Sequence, residues 1–371
     1  MLDFRTVDEL IVGRGCFDRL GELAAPLGRR ALVVTGTTAM RKAGVIDRAQ
    51  NLLGAAGVGV ELFDRIAGEP TAEQVDAGRA ACSRAGCDLV IGIGGGSAMD
   101  AAKAVAALVG ADAPTAEYVR GRRADADATL PCIAVATTSG TGAEVTPNAV
   151  ISDHDGRVKA SIRGAGVLPR AALVDPDLTI TCPPGVTAAS GMDALTQAIE
   201  SYVSIHATPV TDALGVHAAG LLLENLSAAY RYGADADART ACAYGSVMAG
   251  LALAHARLGV VHGMAHPLGI RYGIPHGVCC AVLLPASIQL NRDAAGPKYD
   301  QLAHVAGRPI DDACRELLRT LDLPENFREY DIPEDDFPRI AEESMPSGSL
   351  KANPKRITEA DVVKLLEQVT A

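Results

Sequence analysis

What most limits how this chain can fold is a change of pattern near residue 182. Before it, short apolar runs alternate with stretches of helical spacing; after it, helical spacing alone continues. Ala31–Thr35, Gly59–Phe63, Asp88–Ile93 and Cys132–Ala136 are apolar runs bounded by turn residues, and Thr71–Arg84 and Ser97–Val109 between them read as helices. Strands that are apolar at nearly every position belong to a parallel sheet covered by helices on both faces. Ala149–Ser152 and Val158–Ser161 flank Asp153-His154-Asp155-Gly156 and read as a hairpin. After Pro183-Pro184-Gly185, the chain from Ala188 to about Ala256 is rich in Ala and Leu at helical spacing, and further helices are expected over Ala313–Leu321 and Thr358–Thr370. The expectation is α/β plus all-α: a parallel-sheet domain over 1–182 and an all-helical domain over 183–371, a length that suits two domains.

Composition narrows the function. With 4% aromatic residues, no Trp and 38 glycines, the interior must be built from Ala, Val, Leu and Ile with close backbone approaches. A formal net charge of -11 excludes nucleic acid and anionic membrane as partners, since phosphate backbones need clustered Lys and Arg. The longest basic stretch, Arg120-Gly121-Arg122-Arg123, reads as a solvated loop. There is no early apolar export segment and no 18-residue apolar span. The nine cysteines are scattered in no disulfide or zinc-knuckle spacing, so they read as reduced small hydrophobes in a cytoplasmic protein.

Several segments carry chemistry. Ile91-Gly92-Ile93-Gly94-Gly95-Gly96-Ser97 follows a buried run and opens a helix, so bare backbone meets the positive helix end, an arrangement that suits phosphate. It is not Gly-x-Gly-x-x-Gly at the first strand, and no Gly-Lys-Ser/Thr follows, which removes a P-loop. Thr137-Thr138-Ser139-Gly140-Thr141-Gly142-Ala143-Glu144 follows the next buried run, where open α/β sheets bind ligands; two such loops suit a dinucleotide. A tight turn and an ordinary surface loop are the plain alternatives. In Val261-His262-Gly263-Met264-Ala265-His266-Pro267 the two histidines share a helical face, and a Gly/Pro-punctuated turn can fold His276 of Pro275-His276-Gly277 back to the same point. Asp193 and Gln197 also share a face; an Asp on an apolar helix needs a cation, although a helix cap would use one too. Asp193, Gln197, His262 and His276 give one carboxylate, one amide and two imidazoles, a set for Fe(II) or Zn(II) with an open position for substrate. One or two structural histidines is the plain alternative.

Together these segments resemble the iron-containing (group III) alcohol dehydrogenase family. The resemblance lies in Gly94-Gly95-Gly96-Ser97 with Asp100 and Lys103, the Thr137–Glu144 loop, Gly191-Met192-Asp193-Ala194-Leu195-Thr196, His262-Gly263-Met264-Ala265-His266 and Pro275-His276-Gly277, and covers essentially the whole chain. It implies an N-terminal Rossmann-like domain, a C-terminal helical metal-binding domain in a dehydroquinate synthase-like architecture, and one divalent metal in the cleft. By similarity Gly94, Gly95, Gly96, Ser97, Asp100, Thr137, Thr138, Thr141 and Lys159 serve the nicotinamide dinucleotide, Asp193, His262 and His276 ligate the metal, and His266 stands beside the nicotinamide.

There are two departures. Gln197 stands where the family commonly has a histidine; its carbonyl is a neutral, weaker donor, on which the expected order of Fe(II) before Zn(II) depends. Gly36 stands where NAD-preferring relatives often have an Asp. With Thr35, Thr37, Thr38, Arg41 and Lys42 around it, repulsion of a 2′-phosphate is gone, and NADP(H) is expected ahead of NAD(H).

The implied reaction is reversible reduction of a small aldehyde to an alcohol, with the metal as Lewis acid and a proton relay through water, cofactor hydroxyls and His266. Asn148, Arg163 and Arg271 are substrate candidates. Either arginine suits a carboxylate, phosphonate or sulfonate on the aldehyde, though both read equally as surface residues; short aliphatic aldehydes are the default. The alternatives are a zinc polyol dehydrogenase of the glycerol type, a dehydroquinate synthase-like lyase with no net NAD(P)H consumption, and a non-catalytic nucleotide-binding scaffold. A homodimer is the expected assembly.

Overall fold

The computed structural model describes residues 3–123, 130–156 and 158–371. By internal contacts they form two units. One comprises Arg5–Thr138 and Gly142–Cys182; the other comprises Pro183–Ala371, with Ser139–Thr141 and the described residues before Arg5.

The first unit holds β1 (Glu9–Val12), β2 (Arg30–Gly36), β3 (Gly59–Ile66), β4 (Leu89–Gly94), β5 (Cys132–Ala136), β6 (Asn148–Asp153), β7 (Val158–Arg163) and β8 (Ala171–Val174). Its helices are α1 (Leu20–Ala24), α2 (Ala39–Lys42), α3 (Val45–Ala55), α4 (Ala72–Ala85), α5 (Gly96–Leu108) and α6 (Thr115–Val119). Six strands form one parallel, Rossmann-like sheet in the order β1-β8-β5-β4-β2-β3. Side chains alternate across it: Ala31 and Val33 of β2 pack with Phe17, Leu20 and Ile46 on one face, while Leu32 and Val34 pack with Val75 and Val105 on the other. Both faces are buried, which is why these strands are apolar throughout; each such Leu or Val contributes roughly 1.5–3 kcal/mol by leaving water.

Strand order reverses between β2 and β4, since β3 lies outside β2 and the chain then crosses to the other side. Such a switch point is where sheets of this kind leave room for a ligand. The strands β1 and β8, four residues each, were too short for periodicity to mark in the sequence; they exist because β8 pairs with β5 and β1 pairs with β8.

The remaining strands, β6 and β7, form an antiparallel hairpin from Asn148↔Arg163 to Asp153↔Val158. A fully buried lysine ties α5 to its surroundings. Lys103 Nζ donates to Asp100 Oδ1 at 3.0 Å and to the Ala143 carbonyl at 2.8 Å, and Asp100 Oδ2 accepts from Val150 N–H at 3.0 Å.

The second unit is helical: α7 (Pro184–Val203), α8 (Pro209–Arg231), α9 (Ala236–Ala256), α10 (Val260–Tyr272), α11 (His276–Ala306), α12 (Ile310–Thr320), α13 (Phe337–Ser344) and α14 (Glu359–Thr370). One core joins Leu195, Ile199, Leu222 and Leu284; a second joins Met264, Leu283, Ile340 and Leu366. Among the described residues no single helix is long and apolar enough to cross a membrane. None of the nine cysteines forms a disulfide among the described residues.

Candidate functional site

Three helices of the second unit aim polar side chains at one point. On α7, Asp193, Gln197 and Glu200 follow spacings of four and three, which place them on one stripe. Helix α10 brings His262 and His266; α11 begins at His276 and brings Cys280 one turn later. Ligand atoms of Asp193, His262, His276 and Cys280 all lie within 4.8 Å of one another. His262 Nε2 is 3.1 Å and His276 Nε2 3.8 Å from the same Asp193 oxygen, Oδ1. Cys280 Sγ is 3.7 Å from His262 Nε2 and 3.8 Å from His276 Nε2. The ring centre of His266 is 5.9 Å from that of His276.

The start of α10 is assembled from distant residues. Gly259 offers it no side-chain cap; instead Asn353 Oδ1 accepts from Val260 N–H at 3.1 Å and Glu200 Oε1 accepts from Val261 N–H at 2.7 Å. A Cβ on Gly259 would stand 2.7 Å from Glu200 Oε1 and 2.8 Å from Asn353 Oδ1, so glycine is needed for that approach. The second Glu200 oxygen accepts from His262 Nδ1 at 2.6 Å. This bond fixes the imidazole's orientation and leaves Nε2 facing Asp193, as carboxylates behind metal-bound histidines do.

The electrostatics favour a cation. Burial pushes the Asp193 carboxyl up, but the His262 bond and the charges of His276 and His262 outweigh it and hold the group down at about 2. Burial also pushes His262 down, yet Cys280, Asp193 and Glu200 together carry it well above the ordinary imidazole value. The Cys280 thiol is raised to about 11, chiefly by burial, against a lowering pull from His262. Gln197 is 3% exposed, and its Oε1 has no hydrogen-bond partner. A buried acceptor without a donor is costly, and a metal ion would satisfy it. The residues fit a divalent cation.

In the first unit, Gly94 ends β4 with φ +156°, and a Cβ there would lie 2.7 Å from Ala98 Cβ. Gly95 precedes α5 without any side-chain cap, and Gly96 and Ser97 open the helix. Thr137 N–H donates to the Gly94 carbonyl at 3.0 Å, which holds the loop after β5 beside the glycines, and Thr138 Oγ1 would be 3.3 Å from a Gly95 Cβ. This is bare backbone at a positive helix end beside the switch in strand order, a fit for a dinucleotide pyrophosphate. Gly36 ends β2, where the pairing with β3 shifts register. Thr141 groups with the helical unit.

Other expected site residues are engaged elsewhere, and Arg271 needs correction. Its Nε donates to Glu343 Oε2 at 2.6 Å and Nη2 reaches the same carboxylate, so the guanidinium is committed to an ion pair and not offered to a substrate anion. Lys159 pairs with Glu69, Arg41 pairs with Asp64 at 2.5 Å, and Asp100 is turned inward onto Lys103 and Val150. Asn148 and Arg163 stand opposite each other in the hairpin, and Asn148 Nδ2 donates to Ser161 Oγ at 3.4 Å. Cys280 is likewise more than a small hydrophobe. Two residues beyond the expected set carried a signal: Glu200 lies seven after Asp193 and Cys280 four after His276, both same-face spacings. Asn353 carried none, being 93 residues from Val260.

Family models match both parts of the chain: Iron-containing alcohol dehydrogenase over residues 8–176, and Fe-containing alcohol dehydrogenase family, C-terminal, over residues 187–370. Alcohol dehydrogenase 4 of Saccharomyces cerevisiae is 36% identical over 350 residues, 92% of this chain and 91% of that protein. A crystal structure of 1,3-propanediol oxidoreductase matches at TM-score 0.94 and 34% identity, covering 100% of both chains. Sulfoacetaldehyde reductase from Bifidobacterium kashiwanohense, in complex with NAD+, matches at TM-score 0.91 and 30% identity, covering 100% of this chain and 99% of that one.

Proposed function

The chain belongs to the iron-containing alcohol dehydrogenase family and is an oxidoreductase, and from that premise we propose that it reversibly reduces a small aldehyde with NAD(P)H and one divalent metal. The observation that carries the reading is the convergence of Asp193, His262 and His276 from three helices, with the unpartnered Gln197 oxygen one turn from Asp193. When bound, the ion supplies Lewis-acid polarisation of the carbonyl.

The chain's own residues supply the rest. Asp193 brings negative charge, and Glu200 holds the His262 ring so that Nε2 is presented to the centre. Backbone N–H groups of Gly95, Gly96 and Ser97 hold the cofactor pyrophosphate, with Thr137, Thr138 and Thr141 lining the cofactor. His266 stands one helical turn beyond His262 and holds the proton to be passed. Whether the ion is Fe(II) or Zn(II) turns on the fourth donor.

NADP(H) is the preferred cofactor because Gly36 presents no carboxylate to a 2′-phosphate; with Arg41 held by Asp64, Thr37, Thr38 and Lys42 remain as its donors. Short aliphatic aldehydes are the substrate class. An anionic aldehyde is the second reading, favoured by what the sulfoacetaldehyde reductase relative is named for, with Arg163 as its candidate residue.

Anaerobic oxidation of NADPH and NADH after reconstitution with Fe(II) or Zn(II) tests this over a panel of aliphatic and anionic aldehydes. The expected result is metal-dependent oxidation with a higher kcat/KM for NADPH. A higher value for NADH overturns the cofactor order, and no turnover by the metal-loaded protein overturns the reaction.

A further inference from the structure

We propose that Cys280 is a ligand of the metal centre, its thiolate becoming the fourth protein donor beside Asp193, His262 and His276, with a fifth position left for the substrate oxygen, and turning the site toward Zn(II). This rests on the metal reading above. Donors bonded at about 2.0–2.3 Å around one tetrahedral ion stand about 3.3–3.7 Å apart. The separations here are 3.1 Å from His262 Nε2 to Asp193 Oδ1, 3.8 Å from His276 Nε2 to the same oxygen, and 3.7 and 3.8 Å from Cys280 Sγ to the two Nε2 atoms. All six separations lie within 4.8 Å, so adjustment of these side chains brings the four atoms around one ion.

The position of Cys280 reinforces the distances. It is fully buried and follows His276 by one helical turn, so a single turn of α11 delivers a nitrogen and a sulfur to the same point. The adjacent Cys279 faces away, with its Sγ 3.9 Å from the Ile274 carbonyl, and is the internal control. Gln197, the fourth donor by position, has an orphaned buried oxygen but offers only a neutral amide. Thiolate is the stronger and softer donor, and soft sulfur ligands select Zn(II). The order of Fe(II) before Zn(II) belongs to an oxygen and nitrogen set, and one sulfur reverses it.

The test is Co(II) substitution of the full chain, because a thiolate bound to Co(II) gives a charge-transfer absorption in the near ultraviolet that oxygen and nitrogen donors do not. The wild type is expected to show that band. Cys280→Ser and Cys280→Ala are expected to lose it while still binding Co(II), and Cys279→Ser and Gln197→Ala are expected to keep it. Zn(II) affinity measured against a competing chelator should fall about 100-fold in the Cys280 variants, the order expected for losing one of four donors. The wild-type band needs no variant, so a misfolded substitution does not leave the question open. Co(II) bound through Asp193 and the histidines without the band overturns the role of Cys280 and leaves the metal reading standing. A band that persists in Cys280→Ser assigns it to another cysteine and also overturns it. Failure of Co(II) to bind, or equal binding by wild type and Asp193→Ala, overturns both.

Discussion

The behaviour of buried carboxylates in this chain depends on what meets each one. Asp193 faces two imidazoles and is held down, whereas burial pushes Glu144 up to about 7 against a weaker downward pull from its own backbone N–H and from Lys103. Glu144 therefore binds its proton more tightly folded than at its ordinary 4.5. Its contribution to stability is fully present below 4.5 and is lost as the pH rises through about 7. Glu144→Gln removes that loss and should stabilise the protein at pH 8 by on the order of 2–3 kcal/mol, with little effect at pH 5. Denaturant melts at the two pH values decide it; an equal shift at both shows that ionisation is not the cause. The same scale marks where sequence reading stops. Arg271 looked like an anion receptor because its partner Glu343 is 72 residues away and leaves no local trace.

At the scale of elements, what is local was legible. The apolar runs of β2, β4 and β5 and the Thr71 and Thr358 capping boxes of α4 and α14 announce themselves within a few residues. The four-residue β1 and β8 do not, because only their neighbours make them strands. The start of α10 is a harder case, since Glu200 both caps the helix and orients His262. Glu200→Gln keeps the volume and weakens the bond to Nδ1. It should lower metal affinity about 10–100-fold by chelator competition, with far-UV circular dichroism unchanged. Unaltered affinity would mean that Glu200 only caps.

At the scale of the molecule, the fold class was legible because the change of period near residue 182 is written in composition, whereas strand order is not. The candidate metal donors come from α7, α10 and α11, so an ion bound there adds to the stability of the helical unit. At 100 times its Kd that addition is about 2.7 kcal/mol. The chain has no Trp, and seven of its eight tyrosines, all but Tyr118, follow residue 182. A near-UV circular dichroism melt therefore reports mainly the helical unit. Chelation should lower its midpoint, and melts that coincide with and without chelator would remove the centre from the stability of that unit. The Asn353 cap on Val260 has a consequence for biosynthesis: 93 further residues must be added after Val260 before the amide that completes the start of α10 exists. The nascent chain thus carries Glu200 and His262 well ahead of the amide that completes the cap on their helix contact. An ion that meets the chain before then finds the start of that helix held by Glu200 alone.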